Sequence, residues 1–380
     1  RAMADRMGTM SSPTTGCNVD TSRALALATG EVSTLNRPRK TALLLALVIL
    51  GGVRQAAGQD LQIGIIDFYG LGRIPEREAR QALTFKEGDT LSMGGDDRPA
   101  ALAKSERRVS KLPGVTGAQT NVVCCDAGRL IVYVGIEQKA RATMHFRAAP
   151  RGNVRLAADV VQAGHELSEA VMAAVQRGDG AENDSQGHAL FHDPAARAVQ
   201  ERFVGYAARD LKDLSRVLRD SSDAEQRALA AEVLGYVANK QRVVDDLVYA
   251  MSDPAGDVRN NAMRALWVFA KLAPTSGRPI IRIPYRPFVA LLNSPVWTDR
   301  NKASLALMEL SERRDPGLLR QMRRQAMTAL IDMARWKNEG HAMPALMILV
   351  RIAGQSEDAI EAARTRGDRE GIISTALKRP

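Results

Sequence analysis

The strongest constraint on this chain is a spacing that returns through its second half. Arg227-x-x-Ala230-x-x-Val233-Leu234, Arg259-x-x-Ala262-x-x-Ala265-Leu266 and Arg300-x-x-Ala303-x-x-Ala306-Leu307 share one pattern, and His341-x-x-Pro344-x-x-Met347-Ile348 is a degenerate fourth copy. The starts lie 32, 41 and 41 residues apart. Two residues ahead of each stand Glu225, Asp257, Thr298 (with Asp299 beside it) and Glu339. An apolar residue (Leu218, Met251, Leu292, Met333) lies a little further ahead. Each copy therefore reads as an apolar helix, a polar turn and a second apolar helix, with turns such as RDSSDAE and SDPAGD. A helix pair this short cannot bury its own apolar stripe, so the copies must stack. Alanine at the third place after the arginine lets helices approach closely. The acid near the start of the second helix suits the positive end of the helix dipole. The arginine has the reach to meet an acid on the next copy. The expectation is a structural ladder of Arg227, Arg259 and Arg300, with Glu225 and Asp257 among its acids.

The pattern resembles HEAT repeats, in which a turn Asp and a following Arg recur at these places. The resemblance implies an all-α solenoid over about residues 193–380 with a concave groove for a protein or peptide partner. Asp193–Val204 reads as a capping half-repeat, with Asp193 as N-cap and Pro194 at the first helical position. Ser356–Pro380 reads as a polar cap. The insert KLAPTSGRPIIRIPYRP, with Pro274, Pro279, Pro284 and Pro287, is either a connector or a binding loop. Arg313, Arg314, Arg320, Arg323 and Arg324 form either a solvated helix face or a site for an anionic partner or lipid head group. Trp267, Trp297 and Trp336 fall near turns or helix ends and suit packing between repeats, or binding anchors.

Residues 60–139 follow another logic. QIGIIDF is a short strand, Pro75 opens a helix, a second helix runs from about Pro99 to Lys111, and Val115–Cys125 and Arg129–Glu137 form a hairpin around Asp126-Ala127-Gly128. The order β-α-α-β-β, with IGIIDFYGLGRIPEREARQAL, KEGDTL, SKLPGV and RLIVYVGIEQ, resembles a POTRA domain. That resemblance implies a location beyond the inner membrane. It also implies a sheet edge at Ala118, Gln119, Thr120, Asn121, Val122, Val123 and Cys124, which either accepts a peptide strand or is covered. No series of alternating ten-residue strands follows, so the barrel of outer-membrane assembly proteins is not expected. The expected fold class is α+β and multidomain, a small POTRA-like unit plus a HEAT-like solenoid.

Arg37–Gln59 places a basic flank, a short apolar run and Ala56-Ala57-Gly58 in the order of a secretory signal, with cleavage expected after Gly58. Residues 1–58 are thus set apart from the fold. Residues 140–192 read as a connector, with the polar stretch RGDGAENDSQG as a flexible linker. Cys124 and Cys125, as neighbours on a strand, should point to opposite faces and not pair. His188 and His192, four residues apart with Asp193 adjacent, could share a helix face and bind zinc, but no Glu stands between them and Asp193-Pro194 reads as a helix start, so no metal and no cofactor is expected.

The net charge of +10 comes without a concentrated basic stripe and says little about nucleic acid; the expected export argues against access to DNA, so no nucleic-acid partner is expected. The chain shows no Gly-rich phosphate loop, G-x-S-x-G, HExxH or CxxC. The expectation is an exported, non-catalytic scaffold at the periplasm or cell envelope, with no integral span after cleavage and room for peripheral association. Two alternatives stay open. One is a cytoplasmic nucleic-acid-binding repeat protein similar to DNA glycosylases, with Asp257 and Trp267 at a flipped base. The other is a hydrolase whose residues meet only in space.

Overall fold

A one-residue bulge decides which way the N-terminal sheet faces. The computed structural model describes residues 60–92, 99–139, 144–272 and 280–378. The expected signal sequence, residues 140–143 and the proline-rich stretch 273–279 lie outside the described residues. The first unit contains β1 (Asp60–Tyr69), α1 (Glu76–Ala82), β2 (Thr90–Ser92), α2 (Ala100–Val109), β3 (Val115–Asp126) and β4 (Arg129–Gln138). The sheet order is β2-β1-β4-β3, with β1 and β4 parallel and the other pairs antiparallel. Only β2 is missing from the β-α-α-β-β reading, because three residues carry no alternation.

The β1–β4 register shifts between Ile63 and Ile65, which leaves Gly64 as the extra residue. Ile63, Ile66 and Phe68 then share a face with Leu130, Val132, Val134 and Ile136 and pack on α1 and α2. Ile65 and Tyr69 turn the other way, with Ile131 and Tyr133, into the core of the helical array. Apolar residues at successive positions of β4 thus reflect burial on both faces. The sheet is the middle of three layers.

The second unit begins with α3 (Ala158–Gln176), the short hairpin β5 (Glu182–Asn183) and β6 (Leu190–Phe191), and α4 (Pro194–Arg209). Four helix pairs follow: α5 (Leu211–Asp220) with α6 (Ala224–Leu234), α7 (Val244–Ala250) with α8 (Gly256–Lys271), α9 (Arg286–Leu291) with α10 (Trp297–Leu310), and α11 (Pro316–Ala334) with α12 (Glu339–Ala353). The second helices stack in the order α6, α8, α10, α12. The terminal helices α13 (Asp358–Arg366) and α14 (Arg369–Lys378) close the array. Asp193 and Asp315 cap α4 and α11 by accepting from Ala196 N (2.9 Å) and Leu318 N (2.7 Å), each with proline next. Gly354 ends α12 in the left-handed region, φ 69°. The described end of the insert packs Ile281, Ile283 and Tyr285 on the core. Its Arg282 N donates to Gln241 Oε1 at 2.8 Å.

Two expectations need correction. The described part of the expected connector, residues 144–192, is not free, since α3 packs on α4 and α6 and joins the common core. The polar stretch after α3 is tied down by pairs between Glu182 and Arg264, Asp184 and Lys271, and Arg177 and Asp193. Composition reads such a segment as a linker because its partners are far away in sequence. Cys124 and Cys125 are joined by a disulfide across a cis peptide bond, so the alternation of a trans strand, which sets neighbouring side chains on opposite faces, does not hold at this step.

The sheet docks on the turns of the third and fourth pairs. Tyr69 Oη donates to Pro295 O (2.7 Å) and Gly70 N to Asp332 Oδ2 (3.1 Å). Lys337 N donates to Asp67 Oδ2 (2.7 Å) and Asn338 Nδ2 to Asp126 Oδ1 (3.0 Å). Gly135 makes this approach feasible: a Cβ there would lie 2.2 Å from Pro295 O and 2.6 Å from the Tyr69 ring. Gly135→Ala should therefore destabilise the chain by about 1–3 kcal/mol, the usual cost of overpacking. Hydrogen exchange checks the location: β4 amides should lose protection more than those of α8.

Candidate functional site

Arg227, Arg259 and Arg300 each sit at the fourth position of the second helix of a pair, and all three are almost wholly buried. Each guanidinium donates to the carbonyl six residues back: Arg227 Nη1 to Ser221 O (2.9 Å), Arg259 Nη1 to Asp253 O (2.8 Å) and Arg300 Nε to Ser294 O (2.6 Å). Arg227 then reaches forward to Asp253 with Nε and Nη2, both at 2.8 Å. Arg259 reaches forward to Asp299 with Nε and Nη2, both at 2.9 Å. Asp253 and Asp299 are fully buried.

Glu225 and Asp257, expected as the acids of this ladder, line the groove described below instead. The true partners come from two different places, Asp253 from the turn before α8 and Asp299 from the first turn of α10 itself. Asp253 stands six residues ahead of Arg259, whereas Asp299 stands directly ahead of Arg300 and is held by Ser294 Oγ at 2.7 Å. An acid without a fixed offset leaves no periodic signal. Its turn composition, S-D-P and T-D-R, was the available hint.

The N-terminal unit covers the same row of turns. The extended segment 144–156 runs back along them. Arg147 N donates to Ser252 O (2.8 Å), Gly152 N to Asp220 O (2.9 Å) and Leu156 N to Gln226 Oε1 (2.8 Å). Arg147 is a second guanidinium on Asp253. The Phe146 ring lies 3.8 Å from the Arg259 guanidinium carbon, and the Tyr69 ring 4.4 Å from that of Arg300. At the fourth rung His341 replaces arginine, and its Nδ1 shares a 2.7 Å hydrogen bond with Tyr133 Oη. Tyr133 also stacks on Trp297 (5.1 Å) and packs against Trp336 (4.8 Å). Both tryptophans are core residues here.

The candidate edge Ala118–Cys124 lies on β3, which pairs only with β4 among the described residues. Its centre is occupied: Thr120 gives both its backbone N–H and its hydroxyl to Glu106 of α2. A peptide carbonyl needs that same N–H to extend the sheet. Glu106 thus blunts the edge, as charged side chains do on edge strands.

A groove of about 230 Å³ lies between α3, the β5–β6 hairpin, α6 and α8. Phe191, Leu229, Val268 and Val171 give it an apolar floor and wall. Four carboxylates, Glu182, Glu225, Glu232 and Asp257, line it together with one guanidinium, Arg264, which pairs with Glu182. A Cβ on Gly164 would lie 2.7 Å from Leu229 Cδ2, so the glycine lets α3 close on α6. At one end His188 has its pKa lowered to about 4, by burial first and by Lys240 second. Burial also lowers Lys240 to about 8, and its ammonium donates to Gly235 O at 3.0 Å. His165 and Ser168 line the groove, but neither is hydrogen-bonded to the other. The site offers apolar contact ringed by negative charge.

No family model matches the chain, and no curated relative matches it. Among solved structures, a designed armadillo repeat protein in complex with the peptide (KR)4 is similar, at 13% identity over 51% of this chain and 96% of that one, with a TM-score of 0.32.

Burial makes stability depend on pH through two histidines. His341 falls to about 4, through burial first and Lys302 second, and His188 falls likewise, against 6.5 for an ordinary imidazole. Between these values the unfolded chain binds more protons, so stability rises with pH. It should be complete above 6.5 and decline as pH falls toward 4. Thermal melts across this window check it, and the decline should be shallower in His341→Gln.

Proposed function

We propose that this chain is a non-catalytic interaction scaffold of the cell envelope, exported by its signal sequence. Its HEAT-like array holds a protein partner in the groove, and its POTRA-like unit serves as an internal clamp on the arginine ladder. The observation that carries the reading is the groove itself: an apolar floor reached past a rim of carboxylates. That combination suits a peptide segment with an apolar anchor flanked by lysine or arginine. The blunted β3 edge makes the groove the preferred point of contact.

The acidic rim weighs against the nucleic-acid alternative, because a polyanion would meet like charge there. Trp267, which that alternative needs in the groove, instead lies 5.0 Å from Lys271 Nζ. His165 and Ser168 line the groove without a hydrogen bond between them, so no nucleophile–base pair there favours the hydrolase.

Selection of random peptides on the immobilised full chain tests the proposal. It should enrich apolar residues flanked by Lys or Arg. Glu225→Lys should weaken the selected peptide by up to about five-fold, the worth of one exposed ion pair. Val171→Asp should weaken it further. Enrichment of acidic peptides, or binding indifferent to both changes, would count against the groove.

A further inference from the structure

The edge of the array opposite the docked sheet carries charge that neither the ladder nor the groove uses. The first helices of the later pairs begin there. Tyr285 Oη lies 3.4 Å from where a Cβ on Gly317 would stand, so the starts of α9 and α11 are side by side. The two helices run on together, with Asn293 Nδ2 donating to Gln325 O at 3.0 Å. The last helix, α14, runs against α11 in the opposite sense: Arg335 meets Glu370 at 2.7 Å and Arg323 Nη1 donates to Ala376 O at 2.9 Å. That brings Leu377 and Lys378 toward the same edge.

Arg282, Arg286, Arg313, Arg320, Arg324 and Lys378 are exposed on this side. Their side chains make no ion pair or hydrogen bond among the described residues. The acids nearby are Glu312, Asp315, Glu357 and Asp358, the last two brought in where Arg314 donates to Gln355 O at 2.7 Å; Asp315 caps α11, Glu357 pairs with Arg351 and Asp358 accepts from Ser356. Arg320 and Arg324 are four residues apart and share one helix stripe. A second observation is independent of charge. Ile280 and Leu377, at 56% and 55% exposure, are the most exposed large apolar side chains among the described residues. Ile280 leads into Arg282 and Leu377 adjoins Lys378, so the two flank the basic face.

Unpaired guanidinium groups repel one another and gain from bidentate contact with phosphate. A nucleic acid would satisfy that charge but leave Ile280 and Leu377 in water. An anionic bilayer surface satisfies both, with phosphates for the arginines and the headgroup layer for the apolar pair. We propose that this edge docks on an anionic phospholipid surface. The contact is peripheral, since no helix among the described residues is long and apolar enough to cross a membrane. It shares no residue with the groove.

Sedimentation of the full chain with vesicles tests this. The chain should sediment with equal parts phosphatidylcholine and phosphatidylglycerol and stay in solution with phosphatidylcholine alone. Arg320→Gln with Arg324→Gln should lower partition about 25-fold, at roughly five-fold per basic residue. Leu377→Ser should lower it without changing charge. Lys104→Gln with Arg107→Gln, the same charge change on exposed α2 positions of the N-terminal unit, should leave it intact, and circular dichroism confirms that each variant is folded. Equal sedimentation with neutral vesicles overturns the proposal. So does equal loss in both double variants, or retention by RNA or an acidic protein without retention by anionic vesicles.

Discussion

Burying a guanidinium is costly unless its charge and its N–H groups are met by acceptors in a medium that screens little. Arg227 and Arg259 offset that cost by reaching backward to a carbonyl of their own turn and forward to a carboxylate of the next pair. The N-terminal unit then covers the row, with Arg147 on Asp253, Phe146 over Arg259 and Tyr69 over Arg300. One residue type at one helix position thus links a turn, the next repeat and a docked sheet. His341 keeps the place of the fourth arginine but exchanges charge for a hydrogen bond to Tyr133 and a cage of aromatic rings. The ladder therefore ends in a neutral rung, buried where a charge would be costly.

This arrangement decides which surfaces remain for partners. The row of turns is taken up within the chain, and Glu106 holds the centre of the β3 edge. Among the described residues, the groove between α3, α6 and α8 and the arginine-rich edge stay open. They differ in sign of charge, so they suit different contacts.

The helical array could be read from sequence because its cause is local. Arg, Ala and Leu recur at fixed helical offsets, and short paired helices demand stacking. The two faces of β4 were also visible as alternating apolar residues, although only the structure shows that both are covered. Other features have causes distant in sequence. Asp253 and Asp299 occupy different offsets in their turns, so aligning the repeats hides them. The segment 144–156 has no periodicity, since it follows carbonyls on turns many residues later. The groove needs α3 and a polar hairpin that composition alone assigns to a linker. The Cys124–Cys125 disulfide depends on a backbone geometry that strand alternation does not anticipate.

Asp253 is the point where the repeats and the N-terminal unit meet, since Arg227 and Arg147 both depend on it. The direct test is chemical denaturation of Asp253→Ala, followed by far-ultraviolet circular dichroism and by the fluorescence of Trp297 and Trp336 at the sheet junction. The account predicts a loss of about 3–5 kcal/mol, as for other broken buried pairs, with both signals shifting together. A loss below about 0.5 kcal/mol, the range of an ordinary surface change, or a sheet junction unmoved while the helices weaken, would contradict it.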